Sequence, residues 1–173
     1  MSAKWTMAVT DKGLALQNKQ VTGSTLSFTR VVTGTAVTQL VRLKELTSIS
    51  DIKQTVQVTS ITASGKSFVI NALLTNNDLD TEYYLSQIGF YATDPDEGEI
   101  LYAVVQIDKP KEIPNASDAP GYSISFSFKF EKSQSINVTI DIDPSGLVTV
   151  SGAELIAENK IGEFLEAGPT IIE

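Results

Sequence analysis

Residues 123–130 read SISFSFKF, and residues 136–142 read INVTIDI. In both runs, large apolar side chains alternate with small or polar ones, which is the period of a β-strand that buries one face. A polar stretch, residues 131–134, lies between them. The two runs therefore predict an antiparallel hairpin with one face on a core and the other in water.

Alternation of the same kind precedes this stretch and predicts two more hairpins. One spans residues 54–75 and turns at Ala63-Ser64-Gly65-Lys66. The other joins residues 84–93 to residues 99–107 through Asp94-Pro95-Asp96-Glu97-Gly98. Its proline and glycine are residues that favour a turn.

Shorter elements complete the first 150 residues. Residues 100–107 are apolar on both faces, which predicts a central strand that is covered on both sides. Thr10 can cap a helix that runs to Val21. The other predicted elements are a strand at Trp5–Val9, a strand at Ser24–Val32, a short helix at Val37–Leu46 and an ordered, proline-rich loop or arm at residues 108–121.

The pattern changes after Pro144-Ser145-Gly146. Ser151 followed by Glu154 is typical of a capping box, and it predicts a helix over residues 153–167 that ends at Gly168-Pro169. We therefore expect a β-rich domain over residues 1–150 and a C-terminal helix and tail over residues 151–173. The predicted fold class is mainly β, an antiparallel sheet or sandwich of hairpins with short N-terminal helices and a C-terminal helix.

The predicted C-terminal helix has an apolar stripe. At 100° per residue its members fall within about a quarter-turn, and Glu163 and Glu166 lie opposite them. The stripe consists of Ala157, Ile161, Phe164 and Leu165. It either packs back on its own sheet or packs on other copies of the helix or a partner. At about two heptads it is too short to hold copies together without help from the β domain.

Composition excludes several classes of protein. The 173 residues include neither cysteine nor histidine, which excludes disulfides, thiol nucleophiles and histidine-based catalytic triads. The net charge is −8, and residues 141–173 hold one basic and seven acidic groups. This acidity argues against nucleic acid and anionic membranes as partners. With no long apolar run and no secretory signal, we expect a protein that is made and kept inside a cell, or that leaves it by lysis.

Two acidic clusters are candidates for chemistry. Asp94, Asp96, Glu97 and Glu99 are acidic enough for a calcium loop, but their spacing favours a solvated turn with Asx-type backbone bonds. Asp141 and Asp143 share one face of a strand. They could serve a glycosidase or bind a cation on an oligomer axis, but the polar face of a hairpin is the favoured interpretation.

Aromatic residues give one further candidate site. They could form a stacking platform for sugars, but on strands they more often pack in the core and across strand pairs. They are Trp5, Tyr83, Tyr84, Tyr91, Tyr102 and Tyr122. None of these patterns predicts a catalytic residue, a cofactor or a metal.

Several short motifs occur in a characteristic order. They are Thr10-Asp11-Lys12-Gly13-Leu14-Ala15, then Leu26-Ser27-Phe28-Thr29, Gln87-Ile88-Gly89-Phe90-Tyr91-Ala92, the turn Asp94–Gly98, Ile100-Leu101-Tyr102-Ala103 and Ile113-Pro114. Over residues 4–150 this order resembles the phage tail-collar fibre family, whose N-terminal domain attaches fibres to the baseplate of contractile tails. Two positions depart from it: Ser86-Gln87 replaces an Arg-Glu pair, and a glycine-rich step is reduced to Gly34.

The resemblance implies a structural component of a phage tail, or of a related contractile particle. It implies a fibre or fibre adaptor at the baseplate, with other tail and baseplate proteins as partners, assembled in the bacterial cytoplasm and located in the virion. We expect no enzymatic activity and a homo-oligomer of three copies. The alternatives are a carbohydrate- or receptor-binding module of the tail and a glycan depolymerase.

Overall fold

A computed structural model describes residues 4–20, 25–131 and 137–140. Within these residues the chain forms nine strands, one α-helix and one 3₁₀ helix. In chain order they are β1 (Trp5–Val9), α1 (Asp11–Lys19), β2 (Thr25–Gly34), the 3₁₀ helix (Leu40–Glu45), β3 (Ile52–Thr55), β4 (Gln57–Ser64), β5 (Ser67–Thr75), β6 (Tyr83–Asp94), β7 (Gly98–Ile113), β8 (Ser123–Glu131) and β9 (Asn137–Ile140).

The strands form two sheets. Sheet A has the order β1-β7-β6-β2-β3, with β9 also paired to β2, and sheet B has the order β4-β5-β8. The inner faces pack on each other through aromatic side chains. Phe130 of sheet B lies with its ring centroid 5.1 Å from that of Phe90 and 6.2 Å from those of Phe28 and Tyr102, all in sheet A. The fold is therefore mainly β, as the sequence predicts.

Local predictions are confirmed. Strands β4 and β5 form the hairpin expected over residues 54–75, and β6 and β7 form the hairpin that turns at residues 94–98. Helix α1 begins after Thr10, whose hydroxyl accepts a hydrogen bond from Gly13 N at 2.9 Å. Residues 100–106 of β7 are all buried, as expected for a strand covered on both faces.

The predicted hairpin over residues 122–142 is wrong. Strand β8 pairs with β5 along its whole length, whereas β9 pairs with β2 in the other sheet and runs parallel to it. Alternation with period two decides which side chains share a face, but it carries no information about the neighbouring strand. The serine face of β8 is not in water either, because Ser125 and Ser127 are buried and Ser127 Oγ donates to Asn71 Oδ1 at 2.8 Å.

Two other predictions need correction. Residues 108–113 are not part of a loop but extend β7, where residues 111–113 pair with β6. Pro110 is tolerated because the register shifts there, between the pairs Leu85–Lys111 and Gln87–Gln106, where a missing N–H disrupts no regular ladder. The helix expected at Val37–Leu46 is shorter than predicted and is a 3₁₀ helix.

The loop after β7 is held by one buried amide. Asn76 Nδ2 donates to the carbonyl oxygens of Pro114, Asn115 and Ala119 at 2.9, 3.1 and 2.9 Å. Asn76 is fully buried, and its side chain joins three carbonyl groups of the loop, of which those of Asn115 and Ala119 also accept from the backbone N–H groups of Ala119 and Tyr122.

We predict that Asn76→Ala lowers the free energy of unfolding by about 2–3 kcal/mol, because it removes the hydrogen bonds that a buried amide makes to three carbonyl groups of the loop and leaves a cavity. Equilibrium unfolding in urea measures the change. The neighbouring Asn77 is exposed and provides a matched control, since Asn77→Ala should change stability by less than about 0.5 kcal/mol. Equal effects of the two substitutions would contradict the role assigned to Asn76.

Candidate interaction surface

Some of the predicted site residues lie outside the described residues. These are the proposed interface residues of the C-terminal helix and the two aspartates considered for glycosidase or cation-binding roles. They are Ala157, Ile161, Phe164, Leu165, Asp141 and Asp143.

The acidic turn between β6 and β7 has a structural role. The Asp94 side chain is buried, and its Oδ1 accepts hydrogen bonds from the backbone N–H groups of Asp96 and Glu97 at 2.7 and 3.2 Å. This is the Asx-type turn that the spacing favours. Lys19 Nζ lies 2.8 Å from both Asp94 carboxylate oxygens and 3.0 Å from Asp96 Oδ2. The hydrogen bond from Lys19, followed by the bond from Asp96 N–H, lowers the pKa of Asp94.

The other acidic groups of this turn also have basic partners. Glu97 pairs with Lys12 of α1, and Glu99 lies 3.2 Å from Arg30 Nη2 of β2. These pairs tie the turn to α1 and β2 and do not point the carboxylates at one centre. Over the ranges that the structure describes, no group of three or more Asp or Glu side chains is placed to hold a metal ion.

Residues 10–15, the helix motif of the resemblance, pack directly on residues 100–103. Thr10 Oγ1 donates to Leu101 O at 2.5 Å, and Gln17 Nε2 donates to Tyr102 OH at 2.5 Å. A Cβ atom on Gly13 would lie 2.2 Å from Tyr102 O. Glycine is therefore required here by the close approach of α1 to β7.

Residues 87–92, the strand motif of the resemblance, hold a covering segment against sheet A. This segment, residues 35–51, connects β2 to β3 along the chain and lies across the outer face of sheet A. Cβ atoms added to Gly34 and Gly89 would lie only 2.5 and 2.3 Å from the side chain of Ile49, which is too close for either residue to be larger than glycine. Ile49 N donates to Tyr91 OH at 2.9 Å. The two glycines leave the space in which Ile49 is buried.

The N-terminal part of the covering segment is fixed by amide side chains. Thr38 N donates to Gln106 Oε1 at 2.9 Å, and Gln106 Nε2 donates to Thr38 O at 2.8 Å. Gln87 Nε2 donates to Gln106 Oε1 at 2.8 Å. Because Gln87 and Gln106 are buried, these bonds fix the position of Thr38 over the sheet.

Three of the exposed side chains of the covering segment are large and apolar, and they lie within residues 37–41. Leu43 is fully buried against the sheet, whereas Val37, Leu40 and Val41 are 67, 57 and 77% exposed. We call these three residues the 37–41 patch. Single exposed apolar residues are ordinary, but three within five residues on a fixed segment are typical of an interaction surface. The sequence predicts a helix here but gives no sign that its outer side is apolar.

The patch lies near one edge of sheet A and has a basic border. The 3₁₀ helix contacts β1, the edge strand, and β7 beside it. Arg42 and Lys44, both exposed, follow the patch in the same helix. Arg42 Nη2 lies 3.2 Å from Glu45 Oε1, an exposed ion pair of the kind that contributes little to stability.

The aromatic residues considered as a sugar platform are mostly in the core. Trp5, Tyr83, Tyr91 and Tyr102 are buried, Tyr122 packs partly buried against the core, and Tyr84 is exposed. This distribution is the one that cross-strand packing predicts. Buried rings have no free face on which a sugar could stack.

Comparisons of the chain with protein-family models, with curated proteins and with solved structures give no match. Within the described ranges, none of the helices has the length and apolar character needed to span a bilayer.

We predict that Gly13→Ala destabilises the protein by about 1–3 kcal/mol, because the added methyl group forces α1 away from Tyr102 O. In a helix that packs loosely, the same change would stabilise by about 1 kcal/mol. The sign of the change in unfolding free energy therefore shows whether α1 packs closely on β7. Asn18→Ala, on the exposed side of α1, is the control and should be neutral or slightly stabilising.

A second prediction concerns alkaline pH. Burial raises the pKa of both Tyr83 and Tyr102 to about 12, from an ordinary value of 10.0. The fold favours the neutral phenol, so this contribution to stability is complete below pH 10 and is lost as the pH rises towards 12. Ultraviolet titration of tyrosinate should show two late-ionising groups and Tyr102→Phe only one. Ionisation of all tyrosines in one step near pH 10 in the folded protein would contradict the assignment.

Proposed function

We propose that this chain is a structural, non-enzymatic subunit of a phage tail or a related contractile particle. It acts as a fibre or fibre adaptor at the baseplate, where it contacts other tail proteins and other copies of itself. In this proposal the protein is located in the tail particle, and its function is to hold other proteins of the particle together.

One observation carries the proposal: the motifs on which the family resemblance rests are joined to each other by contacts. The helix motif, residues 10–15, packs on residues 100–103, and its helix is tied by ion pairs to the turn at residues 94–98. The strand motif, residues 87–92, seats the covering segment. The residues that carry the resemblance therefore form one connected unit of the fold, and this supports the proposal.

The 37–41 patch gives this subunit a surface suited to assembly. A rigid mount reduces the conformational entropy that an interface residue loses on binding. The covering segment is such a mount, because Thr38, within the patch, is held by Gln106, and Leu43, just after the patch, is buried. Exposed apolar side chains with a charged border match the usual anatomy of a protein–protein contact.

We predict that antibodies raised against the recombinant chain label purified tail particles from the bacterium that carries the gene, at the baseplate end. Immunogold electron microscopy gives the position, and mass spectrometry of the washed particles gives the copy number. Particles from a strain with the gene deleted are the control. A chain that is absent from washed particles while it is abundant in the lysate would rule the proposal out.

A further inference from the structure

We infer that the 37–41 patch binds the C-terminal segment, residues 153–167, of a second copy of this chain. The inference deepens the proposed assembly role, and it rests on that role only for the expectation that copies associate. It names both halves of one contact: Val37, Leu40 and Val41 on one copy, and the stripe that includes Ile161, Phe164 and Leu165 on the other.

The two surfaces complement each other in polarity. The patch offers three exposed aliphatic side chains on a fixed segment. The predicted helix offers an apolar stripe about a quarter of a turn wide, which is too short to hold copies together without a partner surface. An amphipathic helix on an apolar surface is a recurring mode of recognition, anchored at positions spaced by three and four residues.

The charges are also complementary. The border of the patch carries Arg42 and Lys44. Arg42 is paired with Glu45, so the border has a small positive net charge. Residues 141–173 carry seven acidic groups and one basic group. At 100° per residue, Glu154 and Glu158 lie on or beside the stripe of the predicted helix, whereas Glu163 and Glu166 face away from it. Docking the stripe on the patch therefore brings Glu154 and Glu158 towards the basic border. Such complementarity fixes orientation and speeds encounter more than it adds affinity.

The patch and the described end of the chain lie towards opposite edges of sheet A. The patch lies over β1 and β7, at one edge, whereas β9 pairs with β2 towards the other edge. Four strand spacings of about 4.8 Å separate β9 from β1, roughly 19 Å. We assign the contact to a second copy because the proposed role requires copies to associate, and the double-cysteine variant described below distinguishes it from docking within one chain.

The intervening chain is long enough for this exchange. Residues 141–152 separate β9 from the predicted helix, and twelve residues span at most about 40 Å when extended. The surfaces that meet are different patches of each copy, so the contact is heterologous and a ring of copies closes if the rotation allows it.

Cysteine cross-linking tests the contact directly, because the natural chain has no cysteine. The variants Val41→Cys and Phe164→Cys are purified separately, mixed in equal amounts and treated with a short bis-maleimide. A contact between copies gives a cross-linked dimer of one chain of each variant, at a yield about tenfold or more above the control mixture. The control pairs Phe164→Cys with Thr62→Cys, an exposed position on β4 of the other sheet.

The double variant Val41→Cys/Phe164→Cys separates the alternatives. A cross-link confined to one chain, with none in the mixed single variants, would show that the segment docks on its own patch and would overturn the inference. Yields equal to the Thr62→Cys control in every sample would overturn it as well. Neither result changes the outcome of the particle-labelling experiment, so the proposed tail role is tested independently of this contact.

A solution measurement checks the energetics. Light scattering on a sizing column should show that Leu40→Asp/Val41→Asp weakens self-association about tenfold or more, since charge replaces apolar contact at the centre of the interface. Both residues are exposed, so circular dichroism should show an intact fold. Leu14→Asp, at an exposed apolar residue of α1, is the control and should associate as the unmodified chain does. Unchanged association in the patch variant would contradict the inference.

Discussion

Residues 100–107 of β7 are buried on both faces, and most of the architecture follows from the need to cover both. On one side, Tyr102, Val105 and Ile107 join the core shared with sheet B; on the other, Leu101 and Val104 join a smaller cluster beneath the covering segment. A strand buried on both faces cannot lie at the surface of a simple two-layer sandwich. The chain therefore supplies a third layer, residues 35–51, on the outer face of sheet A.

Close approach of these layers depends on missing side chains. Gly34 and Gly89 leave room for Ile49, and Gly13 lets α1 lie against the backbone of Tyr102. Gly13, Gly34 and Gly89 thus mark where another element crosses a strand, whereas Gly65, Gly98 and Gly121 have positive φ and nothing packed against them. The ion pair between Lys19 and Asp94 also holds α1 against sheet A, at the end of the sheet where β6 turns into β7. Motifs that are distant in sequence are neighbours because they build these crossings.

The sequence predicts local structure well and strand partners poorly, for a physical reason. The hairpins at residues 57–75 and 83–113 have turns whose residue types fix them, so their neighbours in space are their neighbours in the chain. Strand β8 has no such constraint, and its four inward aromatic and aliphatic side chains match the face of β5 as well as they would a following strand. The interaction surface could not be predicted, because exposure depends on which side of the 3₁₀ helix meets the sheet. The stripe of the C-terminal helix and residues 141–143 lie outside the described residues, so those predictions stand as made.

The fold accounts for the chemical character of most side chains of the covering segment, but not of all. Leu43 and Ile49 are buried, and burial accounts for their apolar character; Thr47, Ser48 and Ser50, on the exposed part, are polar as a solvated layer requires. Val37, Leu40 and Val41 fit neither case, because they are apolar, exposed and mounted on a segment that other residues already anchor. Polar residues at these three positions would satisfy the fold equally well and improve solubility. The fold of the single chain therefore does not explain their apolar character, and this is the reason that we propose them as an assembly surface.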